Sequence, residues 1–412
     1  MRILLTSGLR LLAACLVLYA LLIAVALLAF PLPGRGAPFD TSTASKTVFE
    51  TEAKYFVLNR HVLGTPGTRV VLLGASNTVG GFPVKLTQAE LSGASVVSAA
   101  LSGSNVTQIR EAFELTRRAI KPEDRARTVY VIGLWYGVFV ADAAHWPHAA
   151  GQPMQTAIDT ELYRYDFYRR EPHGPMPVVP ERLLPAATIA IYPVIALEKL
   201  VRVVTEPVRA AFLGAQPNRT DSERDAYVAT AQDKREQTAY WLASFPDNRI
   251  DSRQFAALEA LVDEARADHS PVVIVNLPIP AWHSAAVRYD ADYLKDVNAF
   301  IARHADDPLF ASVDMRDMNN DTWFSDEVHP KPRVVPLWVR RIATPVQTFV
   351  ARVDARAGVP VGVSAGARAG ESAGESAGES AGASVDAPVN LPVDARAEIP
   401  VDAHANRKGP QS

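Results

Sequence analysis

Arg69-Val70-Val71-Leu72-Leu73-Gly74-Ala75-Ser76-Asn77-Thr78 is the stretch on which the reading of this chain turns. A short apolar run closed by glycine is the pattern of a strand buried on both faces. The small and polar residues after it mark the point where the chain leaves the strand. In doubly wound sheets, sites form beyond such carboxyl ends. A serine flanked by small residues there can expose its hydroxyl, with a backbone N–H free to face a developing oxyanion. Serine in this place also serves as a helix N-cap or turn residue.

Working outward, further strand-like runs occur at Ser95–Ala100, Thr128–Leu134, Pro271–Leu277 and Leu309–Val313. Helical spacing covers Asn105–Ile120, Arg249–Ala267 and Asp290–His304. Short apolar β runs alternating with helices predict an α/β fold, a mainly parallel sheet flanked by helices on both faces. Thr41–Val62 reads as a polar linker running into an amphipathic helix. Between Asp142 and Asp247 the alternation breaks into a stretch rich in Pro, Tyr and Arg, read as a helical insertion. Within it, Leu183–Leu213 is strongly apolar but interrupted by Pro193, Glu198, Lys199 and Arg202. It reads as a poor spanning helix. An amphipathic lid, a surface-lying membrane segment, a partner-docking helix and a core-facing helix pair all fit.

Before the body, Leu11–Phe30 carries no charge and is as long as the roughly 20 residues a membrane span needs. Arg2 and Arg10 precede it, which favours a cytoplasmic N-terminus and a translocated body. The apolar run exceeds the roughly 7–15 residues of a cleaved signal. A retained single span is therefore expected, in the cytoplasmic membrane of a bacterium with the main domain periplasmic. The expected division is 1–38 as cytoplasmic stub and anchor and 39–350 as the extracytoplasmic domain with its insertion at about 142–247. Residues 351–412, with their Gly-Glu-Ser-Ala repeats, are expected to form a disordered low-complexity tail.

Composition narrows the chemistry. The 412 residues carry a net charge of -3, without the basic excess of a nucleic-acid protein. The one cysteine, Cys15, lies in the anchor, so no disulfide within the body and no Cys-based zinc site is expected. No metal and no cofactor is expected. His145 and His148 lack a clear third ligand.

Two more pieces carry chemistry. Trp323-Phe324-Ser325-Asp326-Glu327-Val328-His329-Pro330 follows the last predicted strand. Asp and His three apart on one loop can meet. The carboxylate then fixes the imidazole tautomer and leaves the other nitrogen to take a proton from serine. Leu101-Ser102-Gly103-Ser104-Asn105 follows the second strand, and the Gly103 N–H and Asn105 amide are natural oxyanion donors. A turn with an Asn helix cap fits the same residues. A rival Asp-x-x-His, Asp142 and His145, follows the third strand and ranks below Asp326 and His329. Tyr163, Arg164, Tyr165, Tyr168, Arg169 and Arg170 form a basic-aromatic stretch, read as a solvated helix face.

In this order, Ser76, Gly103 and Asp326/His329 resemble the blocks of the SGNH (GDSL-like) hydrolase superfamily over roughly residues 69–342. The resemblance implies Ser76 as nucleophile, Gly103 as an oxyanion donor, and Asp326 with His329 as the charge-relay pair. Ala75 stands where the family usually has Asp, and Gly133-Leu134-Trp135 lacks the Asn of the third block. The missing donor would be supplied by Asn105 or Asn77. With its anchor, the layout is similar to membrane-anchored proteins that acylate cell-surface polymers, such as the alginate O-acetylation and teichoic acid D-alanylation proteins. This implies a membrane-bound O-acyltransferase partner, a polysaccharide acceptor, and a sugar site lined by Trp282 and His283. The expected activity is acyl transfer through Ser76. The alternatives are an extracytoplasmic carbohydrate esterase and a non-catalytic glycan-binding or assembly protein.

Overall fold

The computed structural model describes residues 2–32, 38–140, 156–165, 167–171, 174–213, 219–244, 250–287 and 289–356. Asp142, His145, His148 and residues 357–412 lie outside the described residues, while 351–356, expected in the tail, continue the last helix, with Val353 buried.

Five parallel strands form the sheet: β1 (Arg69–Leu73), β2 (Ser95–Ser98), β3 (Thr128–Leu134), β4 (Val272–Asn276) and β5 (Phe310–Asp314), in spatial order β2-β1-β3-β4-β5. This is the flavodoxin-like doubly wound order. Every residue of β1, β3 and β4 is buried, which is why these strands read as unbroken apolar runs. The edge strand β5 alternates instead, as a half-covered strand should.

Helix α1 (Arg2–Ala29) contains Leu5–Ala29, long and apolar enough to cross a membrane, as an anchor or a signal sequence does. The chain then runs beside β2. The Ser98 N–H donates to the Phe39 carbonyl at 2.8 Å, and Thr41 Oγ1 to the Ala100 carbonyl at 2.6 Å. Helix α2 (Glu52–Asn59) follows, with Ala53 through Asn59 all buried. It is not the amphipathic helix expected there. The short helix Ala157–Arg164, helix α6 (Leu184–Ala190) and the turn at Thr41–Lys46 pack around it, so no face is left for water.

Helices α3 (Ser76–Gly81) and α4 (Val84–Glu90) connect β1 to β2, and α5 (Val106–Ala119) connects β2 to β3. These two crossovers run in opposite directions across the sheet. Their right-handedness therefore puts α4 and α5 on opposite faces. In the insertion, α6 leads into α7 (Tyr192–Leu213) and, further on, α8 (Ala231–Ser244). Helices α9 (Ser252–Ala267) and α10 (Tyr289–Arg303) flank β4, and α11 (Val335–Arg356) closes the fold against α4. The basic-aromatic stretch is not one helix face. It divides between the helix Ala157–Arg164 and a hairpin of Tyr168–Glu171 with Gly174–Pro177. Tyr168 turns inward, where its hydroxyl donates to Glu181 Oε1 at 2.8 Å.

The strand order reverses between β1 and β3, and α3 sits there by close contact. Gly74 has φ +150°, and a Cβ on it would lie 2.1 Å from Thr78 Oγ1. A Cβ on Gly133, at the end of β3, would meet the same oxygen at 2.1 Å. Thr78 therefore fits only between two glycines. On the far side of α3, a Cβ on Gly81 would lie 2.5 Å from the buried Trp338 ring of α11. The neighbouring Gly80 has only His329 Cδ2 within reach, at 3.8 Å.

Two adjacent substitutions should thus behave oppositely. Gly81→Ala should lose about 1–3 kcal/mol through overpacking. Gly80→Ala should be neutral or gain up to about 1 kcal/mol from helix propensity. Urea unfolding of the full chain in detergent measures both, and equal midpoints would contradict the packing described.

Candidate active site

Ser76 is the first residue of α3, partly exposed, at the carboxyl end of β1. The loop after β2 comes to the same place, because the Leu101 N–H donates to the Gly74 carbonyl at 3.0 Å. Gly103 turns that loop with φ +73° and has open space on its Cβ side. Asn105 caps α5, its Oδ1 accepting from the Gln108 N–H at 3.1 Å. The cap uses only the oxygen. The buried Nδ2 is without a partner among the described residues and is left able to donate. Asn77 is fully buried, and neither atom of its amide is paired among the described residues.

The loop after β5 is held shut at its base. Phe324 and Pro330 form an antiparallel bridge, and the Ser325 N–H donates to the His329 carbonyl at 2.9 Å. Within it, Asp326 uses both carboxylate oxygens. Oδ1 accepts the N–H groups of Val328 at 2.9 Å and His329 at 2.8 Å; Oδ2 lies 2.7 Å from His329 Nδ1. The pair fixes the proton on Nδ1 and frees Nε2 as a base. The His329 ring edge faces Gly80, one turn along α3 from Ser76. Burial pushes the Asp326 carboxyl up. The His329 charge and hydrogen bond, with the two backbone donors, outweigh it and leave the group at about 2. Burial also opposes the charged imidazole, but the Asp326 charge and hydrogen bond and the Glu327 charge raise it above 6.5.

Two further carboxyls face this pair. Glu52, at the start of α2, accepts from the Ser102 N–H and, at 3.0 Å, from the Ser102 hydroxyl. Burial pushes it up to about 7 against those bonds, and the His329 charge pulls it back. Glu327 rises to about 7 through burial and the Asp326 charge. Neither was marked by the sequence. Glu52 reads as an ordinary acid in a helix's first turn after the Thr51 cap. Only the path of the chain beside β2 brings it here.

The insertion grips the same loop. Arg219 Nη1 donates to the Ser325 carbonyl at 3.3 Å, and Asp225 Oδ1 accepts from the Arg333 N–H at 3.1 Å. Trp282 is half-buried, with Lys234 Nζ 5.7 Å from its ring centre. His283 is fully buried, 2.5 Å from the Tyr136 hydroxyl and packed on Trp241. Burial pushes its imidazole down to about 3, so it is neutral near pH 7. Trp135, where the third block would carry Asn, packs between Tyr136 and Trp241. Among the described residues, no group of three or more His, Cys, Asp or Glu could hold a metal ion.

No family model matches the chain, and no curated protein matches it. Solved structures similar to it include a provisionally assigned acylhydrolase from Bacteroides fragilis NCTC 9343. That one is 12% identical with a TM-score of 0.35, covering 72% of this chain and 94% of its own. A GDSL-like lipase from Bacteroides thetaiotaomicron VPI-5482 is 11% identical with a TM-score of 0.35, covering 73% and 97%.

The geometry sets the titration of His329. Its NMR-detected midpoint should lie above pH 6.5. In Asp326→Asn the raising charge is gone while burial remains, so the midpoint should fall. A midpoint unmoved by Asp326→Asn would contradict the pairing.

Proposed function

We propose that this chain is an SGNH-type serine acyltransferase acting on a cell-envelope polysaccharide. The observation that carries the reading is the hydrogen-bonded Asp326–His329 pair, its imidazole set against the helix that Ser76 begins. Ser76 Oγ attacks the acyl carbonyl of a donor while His329 Nε2 takes the hydroxyl proton. The Gly103 N–H and the amide of Asn105 or Asn77 receive the oxyanion. Each such donor is worth about 3–4 kcal/mol in the transition state. His329 returns its proton to the leaving group, giving the Ser76 ester. A sugar hydroxyl then loses its proton to His329 and takes the acyl group, restoring Ser76. Trp282 would bound the acceptor side, while His283, buried behind it against Tyr136, would support it rather than touch the sugar.

The position of the site fits a surface substrate. Helix α1 is bound to the body rather than merely attached to it. Tyr19 Oη donates to the Ala190 carbonyl and Tyr192 Oη to the Phe30 carbonyl, each at 2.6 Å. Those contacts favour a retained anchor over a cleaved signal. With Arg2 and Arg10 inside, the body lies outside the cytoplasmic membrane. There a membrane-bound O-acyltransferase would supply the acyl group.

Hydrolysis is the second reading. About a quarter of each side chain of the pair is exposed, 28% for Asp326 and 23% for His329, so water reaches the base. A serine ester without an acceptor would then pass to water.

Full-length protein in detergent, given p-nitrophenyl acetate, should gain one acetyl group on Ser76 by mass spectrometry. Ser76→Ala should lower turnover by about 10⁴-fold or more. An unchanged rate in Ser76→Ala would reject the nucleophile. Absence of any Ser76 ester together with retained glycan binding would leave the binding-protein reading.

A further inference from the structure

Helix α7 carries its polar residues on one face. At about 100° per residue, Glu198, Lys199, Arg202 and Glu206 fall within one sector, and Leu197, Leu200, Val201, Val203, Val204 and Val208 fall opposite. The polar face is turned to the body. Glu198 pairs with Lys54 at 2.8 Å and Arg164 at 3.5 Å, and Lys199 reaches Glu50 at 3.4 Å. The apolar face points outward, its six side chains between 53% and 65% exposed. In a water-soluble protein this arrangement is reversed.

The exposed face is continuous with the membrane-spanning helix. Ala26 of α1 is buried, with Leu27 and Phe30 packed beside it, where α1 meets α7. The Tyr19 hydrogen bond ties α1 to Ala190, at the joint where α6 bends by 55° into α7. Tyr19 is ten residues before Ala29, about 15 Å along the helix, or about half the apolar thickness of a bilayer. The same joint is bonded to Phe30 through Tyr192, so it lies between that depth and the end of α1, within the shell of lipid that surrounds α1. Thr205, near the edge of the apolar face, has its hydroxyl satisfied by the Val201 carbonyl at 2.8 Å, as lipid contact requires.

We propose that α6 and α7 form a second membrane contact, a re-entrant pair lying in the leaflet from which α1 emerges. Its apolar face is covered by lipid acyl chains. The occupant is lipid rather than a protein because the face adjoins α1, which itself needs an acyl environment, and it stays in one leaflet because its polar face is paired with the body along Glu198 and Lys199.

The test uses the full chain in phosphatidylcholine–phosphatidylglycerol vesicles, with Cys15→Ser as background and an environment-sensitive fluorophore on single cysteines. Val204→Cys on α7 is compared with Leu28→Cys on α1 and Leu86→Cys on the body. Leu86 is exposed on α4, away from α1 and α7. The Val204→Cys label should be blue-shifted and quenched by doxyl lipids as Leu28→Cys is, and resist iodide severalfold more than Leu86→Cys. Quenching of Val204→Cys by iodide to the extent of Leu86→Cys, with Leu28→Cys protected, overturns the proposal and leaves the face to a protein partner. Turnover is not read, so loss of the Ser76 mechanism would not alter this result.

Discussion

Thr78 has room only because two strands end in glycine beside it. Its side chain occupies space that a Cβ on Gly74 or Gly133 would need. Gly81 in turn lets the Trp338 ring close on the same short helix. A helix of six residues is too short to hold itself by hydrogen bonding. It stays where it is because it is packed between the carboxyl ends of β1 and β3 and α11. Everything at the site inherits its position from this contact. Ser76 begins the helix, His329 lies against its Gly80, and the β2 loop is tied to the Gly74 carbonyl.

Charge at the site is shared unequally among three carboxyls. Asp326 is the one with two backbone donors and an imidazole N–H, so it holds its negative charge at about 2. Glu327 is desolvated and faces that charge, and Glu52 is desolvated with only Ser102 to bond it. Both sit at about 7 and change charge near neutrality, whereas Asp326 does not. Protonating Glu327 removes a negative charge that raises His329 and makes the imidazole a weaker base. Asp326 fixes the imidazole by a hydrogen bond, and Glu327 adds to the charge around it.

The sheet was legible because buried parallel strands must be apolar on both faces. Val70–Leu73, Val129–Ile132 and Val272–Val275 admit no other reading, and the structure starts and stops these strands within a residue or two of the expected limits. The Asp326-x-x-His329 pairing was legible because the two residues share one loop and need only a turn to meet. Glu52 and Tyr136 were not, because their partners, Ser102 and His283, are distant in sequence. Helix α2 was misread for a related reason. Lys54 and Asn59 look like a solvent face, but Lys54 is neutralised by Glu198 and the Asn59 amide donates to the Tyr55 carbonyl at 2.9 Å. Polarity in a sequence signals water only where no buried partner is available.

Those partners connect α7 to the loop after β2. Glu50 and Lys54 flank Glu52, and both pair with α7, while Glu52 itself turns the other way to Ser102. Glu50 takes the left-handed conformation, φ 65°, which costs a non-glycine residue about 1 kcal/mol or more. That cost is offset where the residue accepts from Lys199 and sits near Arg202. The turn that carries Glu52 to the β2 loop is thus held on both sides by ion pairs to α7. An acid whose burial holds it near neutrality is sensitive to small changes in that burial. Three alternate residues of one short segment, Glu50, Glu52 and Lys54, thus face α7 and the β2 loop in turn.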